Sequence, residues 1–196
     1  VLLQFASIIA GSFQKLWGID TAFTLKHIKL TLKYGREFFY SISFALIAST
    51  LSVFLAAFVS FCVHRTGSKK LPGKNFIDAL IQLPTAIPGS LFGLALSITS
   101  GMLHLKAPRF LIVMAITVSF MPFSYRIVTQ TFGQIKLTLD EGAMSLGSKP
   151  LKVFVKVLVP LARGGVFSGW IYNFARGVGP LSSVIFLVGF NTPLCS

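Results

Sequence analysis

The residues able to do covalent or metal chemistry are few and far apart. His27, His64 and His104 fall in three separate loops, with no His-x-x-His spacing and no carboxylate pair beside any of them, so spacing builds no metal set. Cys62 and Cys195 form neither a disulfide framework nor a ligand pair. Five acidic residues supply no Ser/His/Asp arrangement and no carboxylate pair inside the apolar blocks, and no Gly-x-x-x-x-Gly-Lys phosphate cradle is present. One set keeps a definite spacing: Glu141-Gly142-Ala143, Gly147 four residues on, Val157, and Pro160 thirteen residues after that glycine. An acidic group, small residues and helix breakers at such intervals suit ion pairing and close seating against a partner rather than bond making.

The elements that must position this set lie in hydrocarbon. The 196 residues are 54% hydrophobic and 12% charged, about half the charge of a globular chain, with a mean hydropathy of +0.78. The net charge of +13 does not make a nucleic-acid surface, because the 18 Lys and Arg are scattered between apolar blocks with few aromatics among them. Five segments approach the length of about 20 apolar residues that crosses a bilayer. Val1 to Trp17 reads as the tail of a first span whose beginning is missing. Phe38 to Val63 carries no charge. Phe76 to Ser100 contains Asp78, Pro84 and Pro88, and Phe110 to Tyr125 is flanked by Arg109 and Arg126. Val153 to Phe190 is too long for one straight helix and is expected to break at Gly177-Val178-Gly179-Pro180. Polar, basic linkers separate the spans, and all spans should be helical because hydrocarbon leaves no partner for an open backbone. Nine Lys and Arg gather on the side of Glu141 against seven on the other, a narrow excess that favours that side as the cytoplasmic one.

Within the loop from Gln130 to Pro160, Thr138 or Asp140 is expected to cap a short helix holding Ala143, Met144 and Leu146, with Asp140 and Glu141 near its positive end. Gly147-Ser148-Lys149-Pro150 should end it, and a second helix should start near Pro150 and lead into the membrane. The whole spacing resembles the E-A-A-x3-G-x9-I-x-L-P signature of binding-protein-dependent ABC importer permeases. Gly142 stands for the first alanine, Val157 for the isoleucine and Val159 for the leucine. Val63-His64-Arg65, the run Leu83 to Gly89, Pro160 to Gly165 and Phe174-Ala175-Arg176 are similar to the same family.

The resemblance implies an all-α, polytopic permease fold with about five transmembrane helices plus cytoplasmic coupling helices, as a single domain over residues 1–196. It also implies that the chain is the second half of a longer permease and lacks the last helix. Glu141, Gly142, Ala143, Met144, Leu146, Gly147 and Pro160 then couple the chain to a cytoplasmic ABC ATPase dimer. ATP is bound there, and this chain holds no cofactor or metal and is no enzyme. Further implied partners are a second permease half or identical subunit, a soluble substrate-binding protein and the lipid bilayer; nucleic acid is not among them. Pro84 and Pro88 are candidates for a helix break beside the translocation path, or for a packing kink. Arg163 reads as interfacial. Arg176, deeper and beside the glycine-rich break, is a candidate for attracting an anionic substrate or a partner for carbonyls and headgroups. The stretches Leu16 to Asp20 and Phe23 to His27 are most like the ferric-iron branch, with phosphonate, polyamine and thiamine importers as alternatives. A membrane enzyme and a non-transporting scaffold are the readings from other classes.

Overall fold

A computed structural model of the chain describes residues 2–16, 19–33, 35–65, 73–104, 107–179 and 187. Expectations that rest on Trp17 and Gly18, on the turn segment 66–72, on Lys106, or on Pro180 and the stretch beyond it, Cys195 included, lie outside the described residues.

The spans are helical, as hydrocarbon requires. Helix α1 (Leu2–Ser12) ends before the predicted span Val1 to Trp17 does and leads into a short antiparallel hairpin, β1 (Gln14–Leu16) inside that predicted span and β2 (Asp20–Phe23) in the stretch read from sequence as linker. Helix α2 (Lys26–Lys33) precedes α3 (Gly35–His64), whose stretch Phe38–His64 is long and apolar enough to cross a membrane. The predicted span Phe76 to Ser100 is not straight. It forms α4 (Lys74–Ala86) and α5 (Gly89–Met102), bent by 100°. The break sits at Ile87 and Pro88, both with extended backbones, because a residue before proline is pushed out of the helical region. Pro84 lies inside α4 and does not break it.

Helix α6 (Pro108–Gln134) is the second helix able to span, and it runs nine residues past the predicted end at Tyr125. Arg126, Gln130 and Gln134 fall on one exposed stripe while Val128 and Phe132 stay buried, so a polar face at i, i+4, i+8 carries the helix on beyond its apolar part. The loop after α6 holds α7 (Leu137–Ser145) and α8 (Pro150–Val153). A π-helical turn Phe154–Leu158, α9 (Val159–Leu161) and α10 (Arg163–Gly177) follow. Among the described residues, two helices pass the length and composition of a span alone, and the bent α4–α5 pair makes a third if counted as one.

Helices α3 and α6 run parallel and α10 antiparallel between them. Ala48 meets Thr117 near one end, and Ser60 lies 2.8 Å from Thr129 near the other. Glycines let α10 approach: Gly165 faces Thr131, Gly169 faces Ser124, and Gly177 faces Ile116 and Ala45. Between them the buried Asn173 donates from Nδ2 to Ser52 Oγ at 2.7 Å. One apolar cluster, with Phe44, Ile112 and Ile116, fills the end of this bundle away from the loop. A second, with Phe61, Val128, Phe132, Phe154 and Leu158, packs the π turn against α3 and α6.

Candidate functional site

Helix α7 starts one residue before the predicted cap. Lys136 precedes it in an extended conformation with no side-chain cap, so neither Thr138 nor Asp140 caps it. Asp140 has a different task. It lies inside the helix, is the one buried residue of α7, and is 1% exposed. Its Oδ2 is 2.8 Å from Nε of Arg65, the residue that follows α3 and is 6% exposed. Arg65 also donates from Nη1 to the Ile135 carbonyl, where the chain leaves α6, at 2.8 Å. Arg65 Nη2 and Asp140 Oδ1 have no hydrogen-bond partner among the described residues. Burial pushes the Asp140 carboxyl above its ordinary value against the opposing pull of Arg65, since removal from water penalises the charged form.

At 100° per residue, the direction of Asp140 leaves Glu141, Gly142, Ser145 and Leu146 on the far side of α7. All four are exposed, Leu146 to 89%, while Ala143 and Met144 are half-buried. Of the seven residues predicted to couple, Glu141, Gly142 and Leu146 thus form the outward face, and Ala143 and Met144 turn toward the body. Gly147 ends the helix with φ +82°, and the amides of Gly147 and Ser148 donate to the carbonyls of Met144 and Ala143 at 2.9 and 3.1 Å. This closure needs the left-handed backbone that glycine accepts without steric cost. Pro160 sits exposed in α9, directly after the π turn. A proline offers no N–H to the preceding turn, and the chain responds with a widened turn in which the Val159 amide donates back to Phe154.

The remaining candidates are dispersed. Pro84 is half-buried and Pro88 exposed at the bend. Arg176 is exposed in the last turn of α10, one residue before the helix ends at Gly177. No described hydrogen bond or ion pair joins it to either proline.

Sequence spacing missed a further cluster. His64, expected in a loop beside no carboxylate, ends α3, and its Nε2 lies 3.2 Å from Asp78 Oδ1 on α4 and 3.0 Å from the Tyr125 hydroxyl on α6. Tyr125 donates to the same Asp78 oxygen at 2.5 Å. One turn along α4, Gln82 accepts from Arg126 Nε at 2.8 Å. Helix α4 thus turns a polar stripe, Asp78 and Gln82, toward α6 while Phe76, Leu80 and Leu83 are exposed. The only sequence signal was an acidic residue inside an apolar block; its partners lie 14 and 47 residues away. Among the described residues no three His, Cys, Asp or Glu come together as a metal site.

The family of binding-protein-dependent transport system inner membrane components matches residues 66–195, which include the whole loop and α10. The chain belongs to that family. The permease is accordingly an inner-membrane transport component of the all-α class, in which two helices among the described residues are long and apolar enough to cross a bilayer. It is 26% identical over 96% of its length to a Haemophilus influenzae protein described as a ferric transport system permease, covering 30% of that protein. To the ferric transport system permease FbpB of Actinobacillus pleuropneumoniae it is 25% identical over 96% of its length, covering 28%. A sulfate transport system permease described from Helicosporidium is 33% identical over 62% of the chain, which covers 49% of it. The permease therefore spans under a third of the length of the ferric relatives.

Proposed function

We propose that this chain is the second permease half of an ATP-driven importer and that α7 is the surface a separate cytoplasmic ATPase grips. What supports the reading is the outward face Glu141, Gly142 and Leu146 on a helix whose own buried contact is the single residue Asp140. A carboxylate beside a glycine and an exposed leucine fits a partner groove that offers a cation and an apolar floor. ATP is bound and hydrolysed on that partner, a soluble binding protein delivers the solute on the opposite face, and a second permease half completes the path. Pro84 and Pro88, at the bent α4–α5 pair, and Arg176 are the candidates for the lining of that path. Ferric iron is the proposed cargo, supported by relatives with that name that match nearly the full chain.

The test is co-purification of an ATPase with the intact parent protein, wild type against Glu141→Lys. Capture by wild type and loss with the variant supports the docking face; no capture by either form overturns it. A second cargo, sulfate, is favoured by the relative at 33% identity. Uptake of labelled ferric iron against labelled sulfate into cells that depend on the parent protein separates the two.

A further inference from the structure

Two adjacent residues at the tip of α3 hold two different helices by their carboxylates. Arg65 holds the docking helix α7 through Asp140, and through the Ile135 carbonyl it holds the point where the loop leaves α6. His64 holds α4, the first arm of the bent pair, through Asp78, with Tyr125 of α6 closing the same cluster. Helix α7 is not otherwise embedded, whereas α4 also rests on α6 through Tyr125 and the Gln82–Arg126 hydrogen bond. Asp140 is the one buried residue of α7, and α4 has none. Each is a lightly packed helix pinned to a rigid bundle by a charged or hydrogen-bonded side chain, and the pins are consecutive in sequence on one helix end. The Arg65–Asp140 contact is a buried charge contact, which is lost at high cost when one partner is removed, and the contacts at Asp78 are hydrogen bonds.

We infer that His64 and Arg65 form a joint through which displacement of α7 is passed to the bent α4–α5 pair, with Arg65 and His64 as positioning residues acting through Asp140 and Asp78. A force on the outward face of α7 reaches the body first at the Asp140–Arg65 contact. The backbone of α3 then carries it one residue back to His64, and Asp78 hands it to α4. Thr129 and Ser60, 2.8 Å apart, tie the parallel α3–α6 pair one turn further in. The inference rests on the proposed docking of α7 to an ATPase.

The experiment uses the intact parent protein with its ATPase and binding protein in liposomes, and reads labelled ferric iron moved per ATP hydrolysed. The variants are Asp140→Asn, Asp78→Asn, the double variant, Arg65→Gln and Arg65→Lys. Asn keeps the shape of Asp, so folding is disturbed least. In each single neutral variant the ATPase still co-purifies, while transport per ATP falls at least tenfold. The double variant is no worse than either single one, because both cut the same line. Arg65→Lys recovers part of the coupling that Arg65→Gln loses. A merely structural role lowers the yield of folded protein and leaves the ratio of transport to hydrolysis unchanged, and that result overturns the joint. So does a double variant whose loss is the product of the two single losses. Should Arg65→Gln fail to fold, the Asp140 and Asp78 variants decide the matter. Absence of ATPase from the wild-type preparation defeats the docking assignment instead, and is read before any variant is compared.

Discussion

Gly165 offers the sharpest test of the packing that holds α10 in place. A Cβ built there lies 1.9 Å from Thr131 Oγ1, 2.6 Å from its Cβ and 2.7 Å from its Cγ2. Rotation of the threonine relieves the first and last of these but not the middle one, because Cβ is fixed to the backbone of α6. The helices must part. Overpacking of this kind costs about 1–3 kcal/mol, and with three atoms inside contact distance the upper end applies. Alanine returns up to about 1 kcal/mol through helix propensity, which leaves a net loss of about 2 kcal/mol. That corresponds to a fall of about 4–8 °C in the unfolding midpoint for a chain of this size. At Gly169 the nearest atom is the Ser124 hydroxyl at 3.3 Å, which donates to the Gly169 carbonyl and need give only slightly, so Gly169→Ala should change the midpoint far less than Gly165→Ala. The assay is thermal unfolding in detergent, followed by loss of the monodisperse peak in size-exclusion chromatography. Gly165→Ala in a Thr131→Gly background should cost almost nothing, whereas in a Thr131→Ala background most of the loss should remain. Equal midpoints for Gly165→Ala and Gly169→Ala, or full rescue by Thr131→Ala, refute the reasoning.

Other outcomes follow from the loop and the bundle. Gly147→Ala places a Cβ at φ +82°, costing about 1–2 kcal/mol locally and fraying the end of α7; faster limited proteolysis between Leu146 and Lys149 reads it. Asn173→Leu leaves the Ser52 hydroxyl buried and unpaired, and about 1–3 kcal/mol should be lost; adding Ser52→Ala should recover part of it in the same thermal assay. For Asp140, burial raises the folded carboxyl above its ordinary value of 3.8, so the folded state takes up the proton first as pH falls. Wild type should therefore gain stability relative to Asp140→Asn on acidification through that window, and lose the gain as pH rises out of it. A difference in midpoint that is flat with pH, or of opposite slope, contradicts the stated direction.

Much of the fold was legible because hydrocarbon permits few solutions. The uncharged run from Phe38 to Val63 had to be a helix, whereas the two prolines of the next span left a break and a kink equally open, and only the structure puts the break at Pro88 and leaves Pro84 inside α4. The ends of α6 were less readable: Arg126 looks like an interface marker until Gln130 and Gln134 are seen to share its face. In the loop, the glycine stop at Gly147 could be read because the backbone conformation is a local property. The role of Asp140 could not. An acidic residue near a helix start reads as a cap or a dipole partner, and only the arrival of Arg65 from the end of α3 turns it inward. The His64, Asp78 and Tyr125 cluster failed to show for the same reason, since it joins three helices whose juxtaposition no local pattern encodes.

The π turn before Pro160 gives the loop an unusual arithmetic. A π turn stores one residue more than the α-helix it interrupts, yet leaves the helices on either side in their former phase. The segment 154–158 is therefore a place where one residue can be taken out without turning α10, whereas a deletion elsewhere in the same helix swings Gly165, Gly169 and Asn173 away from α6 by about 100°. The thirteen-residue interval from Gly147 to Pro160 thus contains one residue of slack. A turn that passes between the wide and the tight form takes up or releases about 1.5 Å of chain while both ends stay seated. It has the form of an expansion joint between the loop that carries α7 and the helix α10.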